Sequence, residues 1–321
     1  MGVSKAVLGD PSIATAMIEG GVSSIADSRI ENIARMKAAS IDVEFVLLRS
    51  VLSQAQATVR LADISLNTEL NTIRALSKCA AEQQKQHRVI IMVELGDLRE
   101  GVRPQDLIEF VRSTVVLPNI KLSGLGANLA CLGGVSPDDK NMRELSELVA
   151  IIECEIGSSL DIVSGGNSAN HNWCDETNSI GRINSLRLGE SILLGKETLA
   201  GKAIVGLGQT AFQLVAEVIE SKVKPSKPYG KICRNAFGEV PNFENFGEMP
   251  RAILALGRQD VHVPSISPAC DYAIVGSSSD HVILDTKGSS VSVGDEVRFD
   301  LNYAALLSAM SSRFVAKAYQ A

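Results

Sequence analysis

The sequence predicts an α/β protein: a (β/α)8 barrel followed by a mainly antiparallel β domain. Eight short β-branched or apolar runs recur through the first two thirds of the chain. Most gaps between them show helical periodicity, and alternation of that kind implies a parallel sheet. Eight units in about 200 residues fit a closed barrel better than an open doubly wound sheet, which more often has about five or six strands. The last third changes character, with strand-like segments broken by prolines.

The first run, residues 3–8, ends at the turn signal Gly9-Asp10 and carries Lys5 in Gly2-Val3-Ser4-Lys5-Ala6. The others lie at 22–26, 43–48, 61–66, 88–93, 121–127, 160–163 and 185–188. Helical patterns span 28–39, 67–86, 104–114 and 137–156, with Ser28, Asn67 and Pro104 as starting residues. From about Leu207, strand-like segments follow at 212–223, 252–256, 272–275, 281–284 and 296–301, then a helical pattern at 303–310. Pro225, Pro228, Pro241, Pro250, Pro264 and Pro268 punctuate them. Gly206-Leu207-Gly208 lacks the strand-loop-helix context of a phosphate loop, so it is read as a hinge between domains 1–206 and 207–321.

With 321 residues, 45% of them hydrophobic, the chain can bury a substantial core. A net charge of -6 without a basic run argues against a nucleic-acid partner, which needs clustered Lys and Arg. Cys79, Cys131, Cys154, Cys174, Cys233 and Cys270 are scattered, indicating neither a disulfide framework nor a zinc ribbon. No signal segment opens the sequence and no apolar stretch approaches a membrane span, so a cytoplasmic protein with no membrane partner is expected. His171 and Cys174 are two possible metal ligands without further partners, and no metal site is expected.

In barrels of this kind the chemistry sits at the C-terminal strand ends. A lysine there, such as Lys5, is deprived of water, which disfavours its ammonium form and makes it a nucleophile able to form a Schiff base. Glu94, Asp97 and Arg99 follow strand five, and Asn128 follows strand six. Ser164-Gly165-Gly166-Asn167-Ser168 after strand seven offers small side chains and backbone N–H groups suited to a phosphate. Gly189 and Glu190 add donors from the loop after strand eight. A nucleophilic lysine, a phosphate cradle and the fixed cation Arg187 together suggest pyridoxal 5′-phosphate. Arg187 beside the pyridine nitrogen offers donors and no acceptor, so it favours the unprotonated ring, a weaker electron sink that suits racemisation over transamination.

These residues resemble the alanine racemase family of fold-type III pyridoxal phosphate enzymes, and more closely its ornithine racemase-like branch. The likeness runs through Gly2 to Ala6, Ser164 to Ser168, Leu186-Arg187-Leu188-Gly189-Glu190 and Gly96-Asp97-Leu98-Arg99-Glu100-Gly101. Branch-level likeness rests on Gly9-Asp10-Pro11, Ala26-Asp27-Ser28-Arg29, Gly257-Arg258-Gln259-Asp260 and Ser278-Ser279-Asp280-His281. It implies a racemase for a small amino acid, ornithine or another basic one, with Lys5 holding the cofactor and serving as one catalytic base. Asn128, Asn167, Ser168, Arg187, Gly189 and Glu190 would contact the cofactor, while Arg99, Arg258 and Asp280 would contact the substrate.

Three positions depart from the family pattern. Gly9 stands where a tyrosine reaches the phosphate, Asn128 where a histidine stacks on the ring, and Arg258 where a tyrosine supplies the second base. Arginine is too basic for that task, so the opposite base is sought in His281, with Tyr303 and Cys270 as alternatives. Glu190, Asp260 or Asp280 would hold a distal ammonium group. The resemblance further implies a homodimer in which the β domain of one copy completes the barrel mouth of another. Family members carry a strand and a helix ahead of the lysine strand; their absence here raises the expectation of a shortened gene model or a substituting partner segment. A fold-type III decarboxylase or aldolase, and a cofactor-binding protein without turnover, are the competing readings.

Overall fold

A computed structural model describes residues 1–240 and 242–320; Pro241, one of the punctuating prolines, lies outside them. The chain divides into two compact units, Met1–Leu207 and Gly208–Ala321.

The first unit alternates strand and helix eight times. Its strands are β1 (Gly2–Val3), β2 (Ser24–Asp27), β3 (Glu44–Leu47), β4 (Ile64–Asn67), β5 (His87–Val93), β6 (Ile120–Ala127), β7 (Ile162–Gly166) and β8 (Ser185–Leu186). Each is followed by a helix: α1 (Pro11–Glu19), α2 (Ile30–Ala38), α3 (Ala55–Leu61), α4 (Leu70–Glu82), α5 (Leu107–Val115), α6 (Asp139–Ile156), α7 (His171–Glu176) and α8 (Glu190–Leu194). Strands β1 to β8 pair in sequence order and all in parallel. Just beyond β8 the sheet meets its own beginning, where Val3 N donates to Leu188 O at 2.8 Å and Leu188 N to Met1 O at 2.9 Å. The expected (β/α)8 barrel is therefore closed.

Side chains alternate across each strand. Val3, Ala26, Val46, Ile64, Leu66, Ile90 and Met92 form one buried cluster, the barrel interior. The other parity feeds the layer under the helices, where Leu125, Ala127 and Val163 meet Leu145, Val149 and Ile152 of α6. Helix starts are fixed locally. Asp10 caps α1 ahead of Pro11, and Asp138 and Asn141 form a reciprocal capping box on α6.

Several boundaries differ from the sequence reading. The run 3–8 supplies only two strand residues, and Lys5 begins a short 3-10 turn, Lys5–Val7. Leu61 ends α3, and the fourth strand begins at Ile64. The seventh strand extends to Gly166, so Ser164, Gly165 and Gly166 belong to the sheet and the loop proper begins at Asn167.

The second unit is one antiparallel sheet in the order β11-β14-β9-β10-β13-β12. Its strands are β9 (Gln213–Pro225), β10 (Glu248–Leu254), β11 (Ile266–Pro268), β12 (Ala273–Ser277), β13 (Val282–Asp285) and β14 (Glu296–Leu301), followed by α9 (Tyr303–Ser311). In β14 buried and exposed residues alternate without a break, the signature of a sheet with one packed face. Pro250 is tolerated inside β10 because that residue pairs only with β9; pairing to β13 starts at Arg251. The expected strand at 281–284 begins one residue later, which leaves His281 in a turn.

Candidate active site

The inward parity turns polar toward the C-terminal ends of β6, β7 and β8, at Asn128 just past β6, Ser164 within β7 and Arg187 just past β8. Asn128, Ser164 and Arg187 meet: the Arg187 guanidinium donates through Nη1 to Ser164 Oγ, and through Nη2 to Ala127 O at 2.8 Å and Asn128 Oδ1 at 3.2 Å. Arg187 is only 6% exposed, and all these partners are neutral. Burial, reinforced by Arg99, pulls it down to about 10, while Glu100 opposes. A buried cation without a paired anion is costly, so this arrangement calls for an acceptor. Beside it, the buried Asn128 Nδ2 has no hydrogen-bond partner among the described residues. A buried cation whose hydrogen-bond partners are all neutral thus lies beside a buried donor left unpartnered among the described residues.

Lys5 is half-buried at the end of β1. Burial is the main cause that lowers its amine below the ordinary lysine range; Arg99 and Arg187 push the same way, and Cys131 and Asp27 oppose. Its backbone is fixed by neighbours, since Ser4 N donates to Ala26 O at 3.0 Å and Val7 N to Ser4 O at 3.0 Å. Gly9, with φ +57°, closes the turn, and an added Cβ there would lie 2.8 Å from both Cβ and O of Asn32 on α2. A tyrosine is physically excluded from that position, so a phosphate must be held by other groups.

Those groups lie in the loops after β7 and β8. Ser168 Oγ accepts from Gly189 N at 3.3 Å, Ser191 N at 3.2 Å and Ser191 Oγ at 3.1 Å. These donors converge where a phosphate oxygen could replace the hydroxyl as acceptor. Gly189 packs against β1, where an added Cβ would make a tight 3.2 Å contact with Val3 Cβ. Asn167, expected to face the phosphate, is engaged elsewhere: its Nδ2 donates to Asn128 Oδ1 at 3.1 Å and Leu129 O at 2.8 Å, and its N–H to Asn170 Oδ1 at 3.0 Å. It orients Asn128. Glu190 begins α8, and burial raises its carboxyl, with Glu197 adding to the rise and Lys196 and Lys5 opposing.

Arg99 lies in the β5–α5 loop, paired with the neighbouring Glu100, and donates to Cys131 Sγ at 2.7 Å. Asp97 ties this loop to the next by accepting from the backbones of Cys131, Leu132 and Gly133 at 3.0 to 3.2 Å. Lys5, Arg99, Asn128, Ser168, Arg187, Gly189 and Glu190 thus share the first unit. Arg258, Asp280 and His281 belong to the second. There, Arg258 stacks 4.0 Å over Phe237 and pairs with Glu239 at 3.3 Å. His281 Nδ1 is 3.2 Å from both Asp280 Oδ1 and Ser278 Oγ. Asp260 caps the Gly257 turn at 3.0 Å, Tyr303 begins α9, and Cys270 is exposed.

Sequence reading missed Ser191, Cys131 and Asp27 as parts of this constellation. Asp27 carried a usable signal, an acidic residue closing a barrel strand. The contact of Cys131 with Arg99 carried none, because it depends on the paths of two loops. Among the described residues no group of three or more His, Cys, Asp and Glu could hold a metal, and no helix is long and apolar enough to cross a membrane.

Comparison with known proteins gives the family and the fold. Residues 1–196 match the family model for the alanine racemase N-terminal domain. The chain is 42% identical to the ornithine racemase of Acetoanaerobium sticklandii over 301 residues, covering 92% of this chain and 85% of the relative. It is 35% identical to the lysine racemase of Thermotoga maritima over 323 residues, covering 100% and 90%. Among solved structures, the alanine racemase of Streptomyces coelicolor superposes with a TM-score of 0.74 at 16% identity, covering 97% of this chain and 88% of that one.

Proposed function

The chain belongs to the alanine racemase family and is an amino-acid racemase, and on that premise we propose that it uses pyridoxal 5′-phosphate on Lys5 to interconvert the L and D forms of a basic amino acid, ornithine or lysine. One observation carries the cofactor reading: the buried Arg187 guanidinium beside the unpartnered Asn128 Nδ2, facing the same mouth as an amine made nucleophilic by burial. When bound there, the cofactor supplies the electron withdrawal that makes the Cα proton of an attached amino acid removable.

This chain's residues do the rest. Lys5, with its amine held below the ordinary lysine range, accepts and returns a proton at one face of Cα. Arg187 would donate a hydrogen bond to the ring nitrogen and, as too weak an acid to give up its proton, would leave that nitrogen unprotonated, so return of the proton to Cα is favoured over transamination. Ser168 with the N–H groups of Gly189 and Ser191 would hold the phosphate, and Asn128, oriented by Asn167, would offer its free Nδ2 to the cofactor ring. Arg99 keeps donors beyond those engaged by Glu100 and Cys131 and receives the substrate carboxylate.

The second face of Cα needs its own acid and base, and His281 is assigned that role, acting in a homodimer from the β domain of a second copy. Arg258 and Asp280, beside it in the same domain, contact the substrate there. The distal ammonium of the substrate is assigned to Glu190, Asp260 or Asp280. A cytoplasmic setting suits the six free cysteines.

Incubation of the enzyme with L-ornithine, L-lysine and L-alanine in deuterated buffer, read by chiral chromatography and mass spectrometry, tests the reading. The expected result is a D-product carrying deuterium at Cα from ornithine or lysine, and loss of the bound cofactor's visible absorption in Lys5→Ala. Stable cofactor binding with no deuterium uptake from either basic amino acid would sink it.

A further inference from the structure

One ionisable side chain near Lys5 takes no part in the proposed chemistry. Asp27 ends β2 with 0% exposure. Its Oδ2 accepts from Ser4 Oγ at 2.7 Å, and its Oδ1 from Arg29 N at 2.9 Å and Asn32 Nδ2 at 2.9 Å. Ser4, also 0% exposed, is the residue immediately before Lys5. Every contact found is a donor aimed at a carboxylate oxygen; an amide in the same place accepts on one side only, so the Ser4 hydroxyl would have to turn and accept from the other, and the charge would be lost.

The same carboxylate reaches the far end of the lysine turn through Asn32. Gly9, whose N–H donates to Ser4 O at 3.2 Å, packs so closely on Asn32 that no side chain fits. Asn32 in turn is fixed by Asp27. Arg35, one helical turn further along α2, donates to Leu8 O at 3.2 Å and pairs with Asp10 at 2.8 Å. The segment Ser4 to Asp10 is therefore held at its start by Ser4 on Asp27 and near its end by Gly9 on Asn32.

We propose that Asp27 is a positioning residue for Lys5: with Ser4 and Asn32 it fixes both ends of the turn that presents the lysine amine, where the chain has Gly9 in place of a larger anchoring side chain. The proposal rests on Lys5 being the attachment point of the cofactor. Asp27 acts on the amine through geometry, by way of Ser4, and as a nearby negative charge; Cys131 shares the second effect, Arg99 and Arg187 oppose it, and Glu190 also lies within electrostatic reach. Position matters steeply in such sites, since a displacement of about 1 Å can cost about a hundredfold in rate.

The full-length chain is tested as holoenzyme and as apoprotein, in the variants Asp27→Asn and Ser4→Ala. Both are expected to lower kcat about a hundredfold with KM within about threefold, and to weaken pyridoxal phosphate binding about tenfold. The apoprotein supplies a readout that lost stability would not move: trace acetylation of Lys5 across pH, quantified by mass spectrometry against Lys78, exposed on α4. Loss of the anion in Asp27→Asn should lower the pH midpoint for Lys5, while Ser4→Ala, which keeps it, should leave the midpoint in place. Should Asp27→Asn fail to fold, Asn32→Ala keeps the Ser4 contact and should weaken cofactor binding by about threefold to tenfold. Wild-type kcat, cofactor affinity and Lys5 midpoint in the folded variants would overturn the proposal. Covalent cofactor uptake by Lys5→Ala would overturn instead the assignment of Lys5 on which it rests.

Discussion

His87 opens β5 with its ring 2% exposed and Nε2 2.8 Å from Ser65 Oγ. It lies at the N-terminal end of its strand, away from the catalytic mouth, where barrels keep residues that serve stability. Burial pulls its pKa from the ordinary 6.5 down to about 4, with Lys85 contributing and Asp63 opposing. The unfolded chain therefore binds more protons than the folded one between those values, so stability is complete above pH 6.5 and falls as the pH drops toward 4. The loss over that window should be about 3 kcal/mol. Urea unfolding at pH 7 and near pH 4 measures it, and His87→Gln, which keeps a partner for Ser65 but does not titrate, should remove that part of the loss. An unchanged pH dependence in the variant would show that other groups cause it. The low pKa depends on the packing of β4 against β5, which residue type alone does not disclose.

At the scale of elements, Gly9 shows what the lysine turn demands. Its φ of +57° is unfavourable for any residue with a Cβ, and that atom would lie 2.8 Å from the backbone and side chain of Asn32. Gly9→Ala should therefore cost about 2–4 kcal/mol from left-handed strain together with overpacking. Denaturant unfolding of the variant checks the figure, and a cost under about 1 kcal/mol would mean that α2 yields easily. Sequence patterning located all eight barrel strands because their buried faces leave β-branched runs, as in Val89 to Val93. It named no helix at α1, α3, α7 or α8: the last three have seven residues or fewer, too few turns for a clear period, and α1, as long as α2 and α5, is made almost wholly of small and apolar residues that leave no polar face. It also placed Lys5 inside a strand, since Ala6 and Val7 are as apolar as strand residues although they pack in a 3-10 turn. The phosphate loop was legible from its small residues, but the division of labour within it was not. Asn167 turns to Asn128 at the end of β6, and Ser168 meets the loop after β8, through the registers of β7 with its two neighbours, a long-range property.

For the whole molecule, the decisive question is how chemistry on the second face of Cα is supplied. The barrel mouth gathers Lys5, Arg99, Asn128 and Arg187, but two of these four are guanidiniums, which hold their protons too tightly to act as a base. His281, the imidazole assigned to that face, sits in the second unit beside Asp280 and Ser278. If a second copy brings that unit to the mouth, the lesions Lys5→Ala and His281→Ala fall in different halves of a shared site. A mixture of the two inactive variants, unfolded and refolded together, should then regain about a quarter of wild-type activity, because half of the randomly formed dimers carry one intact site out of two. Each variant refolded alone should stay inactive, and sedimentation should give twice the 34.2 kDa chain mass. Failure to complement, with both variants dimeric and cofactor still bound by His281→Ala, would place both bases within a single chain. The second would then have to be sought among the groups already at the mouth, with the Cys131 thiol beside Arg99 the first to replace.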